Sequence, residues 1–335
     1  MSSITGVSVG DELSDPSDGP NSGAGASTGT KGDRVFGGLA MGAGLLVVVV
    51  VALVGLFLLA QAIPAIGKDH VNFLASREFD AANQRFGIAQ LLWTTVVSSV
   101  VALLIAVPFS IGIALFLTHY APSWLARIGA VLIDLLAAVP SIVYGIWGIY
   151  VVAPKFVNVQ NFLQDWLGWI PLFKKVPGVT GGATILMVSV VLAVMILPII
   201  TALSREVFAQ TPVTHKEGAL ALGATRWEMI RTAVLPFGRP GVISASMLGL
   251  GRALGETVAV LFILTALPGG QRFTASLMNG GATFASQIAS DAPENQNNAD
   301  AMGALIAAGL VLFILTFIVN AIARVIVERR KEFSE

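Results

Sequence analysis

Between residues 35 and 63 there is not one charged side chain, and further apolar stretches cover 88–117, 126–152, 183–203, 240–267 and 302–327. In hydrocarbon a backbone N–H or C=O has no water to bond. A spanning segment must therefore satisfy its own polar groups, as a helix of about 20 residues does. The first stretch is also too long for the apolar part of a signal peptide. Each stretch is predicted to be a transmembrane helix, the first ended near Pro64, with Pro108 and Pro198 inside later ones as kinks. Charged residues make up 12% of the chain, half of the ~25% usual in a soluble domain. The fold class is an all-α membrane protein with six transmembrane helices.

The rest of the composition mainly excludes. Lys plus Arg and Asp plus Glu balance at 20 each, which gives nucleic-acid binding no support. There is no cysteine, hence no disulfide, thiol catalysis or cysteine-based metal site. His70, His119 and His215 are scattered over loops without ligand spacing, so no metal site is expected. Residues 1–33 are rich in Gly, Ser, Thr, Asp and Pro and cannot bury a core; they are expected to be a disordered extension. The membrane domain then spans 34–328 and a short polar tail 329–335.

Six crossings put both termini on one side of the membrane. With the termini inside, the inner segments carry twelve Lys and Arg residues against seven in the outer loops. Positive charge favours the cytoplasmic face, so both termini and the 204–239 segment are placed in the cytoplasm. The outer loops are 64–87, 153–182 and 268–301, with Trp166 and Trp169 suited to a bilayer interface.

The 204–239 segment contains TPVTHKEGALALGATRWEMIRTAVLP, from Thr211 to Pro236. Thr214 with Glu217, and Thr225 with Glu228, have the spacing of a reciprocal helix cap, though Thr211 before Pro212 is an equally good start. Gly223 between them can take the left-handed conformation that closes a helix, and Pro236 is expected to stop the second one. The reading is helix, glycine elbow, helix: a folded docking element.

Arg252 and Glu256 fall inside the fifth stretch. Counted from Pro240, Arg252 is about 18 Å along a helix and near mid-bilayer, where each charge costs a few kcal/mol. As an i,i+4 pair they would gain only about 0.2–0.5 kcal/mol, too little to explain them. Two readings stay open: a buried ion pair tying helices together, or groups lining a solute path. An arginine suits an oxyanion, phosphate in particular. The same stretch is dense in small residues, Gly241, Ser244, Ser246, Gly249, Gly251 and Gly255, the last two spaced for close helix packing, which suggests that this fifth helix is the least lipid-exposed. Asp134, near the inner end of its span, is read as structural. No phosphate-binding loop of the G-x-x-x-x-G-K-[ST] type occurs, so any ATP is bound by another chain.

The elbow resembles the signature loop of ATP-binding-cassette importer permeases, in the order Glu217-Gly218-Ala219, Gly223, then nine residues to Ala233-Val234-Leu235-Pro236. Gly218 stands where the family has alanine and Ala233 where it has isoleucine. The segments 105–122, 137–148, 195–200 and 249–260 are similar to phosphate-specific importer permeases, and the stretches 72–87 and 142–154 look more like the PstC type than the PstA type. The resemblance implies a type I importer bundle with a cytoplasmic coupling helix that seats on an ATPase. It implies a PstA-type second permease, a PstB-type ATPase dimer holding ATP and Mg, and a PstS-type extracytoplasmic phosphate-binding protein. It also puts Arg252 and Glu256 in the phosphate path and Glu217, Gly218, Ala219, Gly223, Leu235 and Pro236 in the coupling loop. The nearest alternative is an importer permease of the same architecture carrying another small solute, and an ion-coupled secondary transporter is the alternative of another class. A membrane-embedded enzyme ranks last, because the spans carry no nucleophile–base set.

Overall fold

A computed structural model describes residues 30–67, 72–73, 75–76, 79–80, 85–177, 179, 181–264 and 274–331. The expected disorder of residues 1–29 and the last four residues of the tail lie outside the described residues. Helix α1 runs from Thr30 to Gly67, so residues 30–33 are helical rather than part of a disordered arm; Asp33 in its first turn suits the positive helix end. By compactness the chain divides into Met1–Val54 and Gly55–Glu335. In the first unit every described side chain from 32 to 54 is exposed, as for a helix with lipid around it.

The second unit begins with the end of α1, where Pro64 is tolerated inside the helix. Two-residue strands β1 (Phe79–Asp80) and β2 (Arg85–Phe86) pair antiparallel ahead of α2 (Ala89–Leu115), which a π-helical turn, Phe116–Tyr120, extends. Then come α3 (Ser123–Ala137), α4 (Ser141–Trp147) and α5 (Ala153–Leu167). The core helix is α6 (Ile185–Ala209), followed by α7 (Val213–Ala221), α8 (Arg226–Met229), α9 (Leu235–Leu254), α10 (Val258–Ile263), α11 (Phe284–Asp291) and α12 (Ala299–Lys331).

Among the described residues six helices are long and apolar enough to cross a membrane, but two differ from expectation. The third is not one helix over 126–152. Helix α3 ends at Ala137, because Val139 precedes Pro140 and is pushed out of the helical region. The crossing helix is instead Ser141–Leu167, made of α4, a π-helical turn Gly148–Val152, and α5. The Tyr144 hydroxyl donates to the Leu136 carbonyl at 3.0 Å and ties the two sides of the break together. Trp166 lies in this helix rather than in a loop, and Trp169 in the turn after it; both are well exposed. Asp134 is exposed on α3.

The helix at the centre is also not the expected one. In α6, 72% of the most apolar window is buried, against 39% for Arg226–Leu254. Thr184 caps α6, accepting the Met187 N–H at 3.4 Å. Met187, Val188, Val191, Leu192, Met195 and Ile196 then form one core with residues of α2, α4, α9 and α10. Lipid is as apolar as leucine, so such helices gain little by hiding greasy surface and must gain by close packing. Glycine supplies the closeness at α9: a Cβ on Gly241 would sit 2.4 Å from Val207, and one on Gly249 2.8 Å from Ile200, both on α6. The expected Gly251–Gly255 motif plays no part in this. Gly251 faces open space and Gly255 ends the helix. Next to Pro198, Ser110 of α2 and Thr201 both donate to the Leu197 carbonyl, at 3.1 and 2.7 Å.

Candidate functional site: an exposed elbow and a charged helix break

The elbow begins when α6 ends at Ala209. Pro212, with its φ preset near helical values, starts α7 at Val213. Thr214 is thereby already inside the helix, so the Thr214–Glu217 cap is not made; Thr211 does not cap either, its hydroxyl being buried without a hydrogen bond among the described residues. The far end is built as expected. Gly223 has φ +86°, its N–H donates to Leu220 O at 3.0 Å, and the Ala224 N–H reaches Ala219 O at 3.2 Å. This pair of bonds closes a helix through one left-handed residue, which only glycine adopts without penalty. One residue on, the second cap forms in full. The Glu228 N–H donates to Thr225 Oγ1 at 3.3 Å, and the Thr225 N–H to Glu228 Oε2 at 2.8 Å.

Pro236 does not stop the helix this cap starts. A π-helical turn, Ile230–Val234, widens the backbone just ahead of it and the Leu235 N–H closes on Ile230 O. Pro236 then follows directly on this widened turn, where the regular i→i−4 bonding is already interrupted and the missing N–H is accommodated, and the helix runs unbroken from Arg226 to Leu254. Ala219 and Leu235 pack against the cluster of Phe208, Met229, Ile230 and Val234 that anchors the elbow. The outer side is bare: no residue of α7 is buried, Leu222 is 91% exposed and Trp227 55%. Glu217, Gly218, Gly223 and Pro236 are exposed as well, and a Cβ on Gly218 would meet nothing. Smallness at 218 serves no contact within this chain.

The second place is the gap between α9 and α10. Arg252 and Glu256 were expected on one face of one helix, but α9 stops at Leu254 and the chain resumes helix at Val258. Glu256 is in the gap, 8% exposed, with Oε1 accepting the Ala259 N–H at 3.1 Å, so it caps the second half-helix. Arg252 lies in the last turn of α9, where the negative helix end favours a cation. It is exposed and makes no hydrogen bond or ion pair among the described residues. The buried ion pair is therefore absent: the helix break carries the two side chains apart.

Arg252 opens onto a cavity of about 520 Å³ lined by Ile199 of α6, Met247, Leu248 and Gly251 of α9, and Thr316 and Asn320 of α12. Thr316 and Asn320 escaped the sequence reading. The available signal was a pair of polar residues four apart in an otherwise apolar run.

Residues 106–332 match the family described as the binding-protein-dependent transport system inner membrane component. The chain is 52% identical over 302 residues to the phosphate transport system permease protein PstC 2 of Mycobacterium tuberculosis, covering 88% of this chain and 92% of that one. To the phosphate transport system permease protein PstC of Xylella fastidiosa it is 42% identical over 272 residues, covering 80% and 82%. Among solved structures, a chain of a bacterial alginate ABC transporter, in complex with an alginate pentasaccharide-bound periplasmic protein, superposes with a TM-score of 0.59 at 16% identity. That match covers 88% of this chain and 93% of that one. An inward-facing MetNI methionine ABC transporter chain gives 0.51 at 17% identity, over 72% and 95%. At such identities these two speak for the fold alone. The matched residues 106–332 include both the elbow and the helix break, and the chain belongs to the binding-protein-dependent transport system inner membrane component family.

Proposed function

We propose that this chain is the permease subunit of an ATP-driven importer that passes inorganic phosphate across the prokaryotic plasma membrane, with both termini and the elbow in the cytoplasm. The observation that carries the reading is Arg252, exposed and unpaired on a cavity at the end of a half-helix. A guanidinium on a membrane-crossing helix cannot face lipid tails at acceptable cost, so its side of the molecule meets water, cargo or another subunit. Five fixed donors then suit the oxygens of a phosphate. The relatives named as phosphate permeases support that choice of oxyanion.

In this reading Glu256 lines the path from the gap and holds its shape by capping α10, while Arg252 meets the ion. The exposed face of α7, with Glu217 and Gly218, seats on a cytoplasmic ATPase dimer of the PstB type that binds ATP and Mg. A PstA-type permease completes the path, and a PstS-type protein delivers phosphate from outside. The permease makes and breaks no bond. Movement of the elbow passes through α8 into α9, since the helix from Arg226 to Leu254 is continuous and ends beside Arg252.

Uptake of radiolabelled phosphate by a strain lacking this chain, with no redundant system, tests the assignment. Uptake is expected to be lost under phosphate limitation and restored by the gene. Unchanged uptake sinks the phosphate assignment, and transport by liposomes holding this chain without any ATPase would favour a secondary transporter.

A further inference from the structure

The cavity beside Arg252 has a second polar wall. Helix α12 is apolar around Thr316 and Asn320, and these two, one turn apart, line the same cavity as the arginine. Asn320 is exposed and makes no hydrogen bond among the described residues. An amide turned toward lipid without a partner is costly, so this strip of α12 faces water or a polar ligand. Thr316 donates its hydroxyl proton to the Phe313 carbonyl at 2.8 Å, which leaves its oxygen lone pairs pointing away from that bond.

We propose that Thr316 and Asn320 are contact residues for the permeating ion, opposite Arg252; this rests on the phosphate-permease reading above. The three groups divide the work by chemistry. Arg252 neutralises charge and donates to unprotonated oxygens. The Asn320 amide donates a further hydrogen bond. The Thr316 oxygen accepts one from a protonated oxygen, which phosphate carries near neutral pH and sulfate does not. The set therefore fits a protonated oxyanion better than a fully deprotonated one.

The test uses the complete transporter, with both permeases, the ATPase and the binding protein, in proteoliposomes supplied with radiolabelled phosphate. Asn320→Leu and Thr316→Val are each expected to lower uptake by about tenfold, the size of one hydrogen bond to a charged group. All four components should still co-purify in wild-type yield. Asn320→Asp, nearly isosteric, should transport less than Asn320→Leu because a carboxylate repels the ion, and Thr316→Ser should keep most activity. Wild-type uptake by Asn320→Leu or Asn320→Asp overturns the proposal. So does loss of the second permease from Asn320→Leu with normal uptake per surviving complex, since that is the signature of helix-to-helix adhesion. Arg252→Gln, measured alongside, separates the two levels. If it too transports normally, the phosphate-path reading fails; if it alone is inactive, only the role of Thr316 and Asn320 fails.

Discussion

The elbow and the gap after α9 are both interruptions of apolar helix, and they are built in opposite ways. The elbow is held by local devices, a left-handed Gly223 and the Thr225–Glu228 cap, and its surface is turned outward with Leu222 bare. The gap is enclosed by the fold: Ala253, Leu254, Ala259 and Val260 around it are buried, and Glu256 is turned inward onto the Ala259 N–H. Gly255 and Arg252 stay exposed, and Arg252 opens onto a cavity. An interruption that must meet a macromolecule needs an exposed shape that survives by itself. One that must meet a small ion needs a few polar groups fixed within a packed surround. The continuous helix from Arg226 to Leu254 joins the two, so displacement at one end has a rigid route to the other.

The sharpest way to break the comparison is at the gap. Arg252→Gln should reduce phosphate uptake by roughly 10–100-fold, corresponding to the ~1.5–3 kcal/mol of a hydrogen bond to a charged group. Assembly should be unaffected because Arg252 ties no helices together. If the purified complex instead falls apart, the arginine is structural after all.

At the elbow, Gly218→Leu separates partner contact from chain stability. The position is open within the chain, and leaving glycine in a helix gains up to about 1 kcal/mol. Membrane insertion and thermal stability of the isolated chain should hold while co-purification with the ATPase drops severalfold. Normal ATPase association and coupling would remove α7 as the dock.

A third contrast concerns the glycines of α9. Gly249→Val drives a side chain into Ile200 and should destabilise by about 1–3 kcal/mol, the range for overpacking. Gly251→Ala, with nothing within reach, should leave the melting temperature in detergent at or slightly above that of wild type, since leaving glycine in a helix gains up to about 1 kcal/mol. Equal melting temperatures for the two variants would contradict the packing of α9 on α6. A local effect is expected from Thr225→Ala, which removes one cap and costs about 1 kcal/mol, visible as faster amide exchange at Glu228. No change there would mean the Glu228 side chain alone holds the turn.

Much of the elbow was legible in the residues because its signals act over three or four positions: threonine to glutamate, and glycine after a helix. Where it misled, at Thr214 and Pro236, two local rules competed. Pro212 started the helix before Thr214 could cap it, and a π-helical turn absorbed the proline expected to end the next. The gap was harder. Nothing in GLGRALGETVAV marks the end of a helix strongly, and an unbroken helix placed Arg252 and Glu256 on one face. Packing of α10 against α4, where a Cβ on Gly145 would come 3.0 Å from the Ala259 backbone, decides otherwise.

The residues alone determined that this is a six-helix membrane protein with an exposed elbow of family spacing, because hydrocarbon permits few backbone solutions and caps are local. Only the tertiary structure decided that α6 is central, that Arg252 and Glu256 part company, and that Thr316 and Asn320 come to share the arginine's cavity. The reason is physical. A helix that must be apolar on every side to sit in lipid no longer carries the stripe that in water tells which face meets which neighbour.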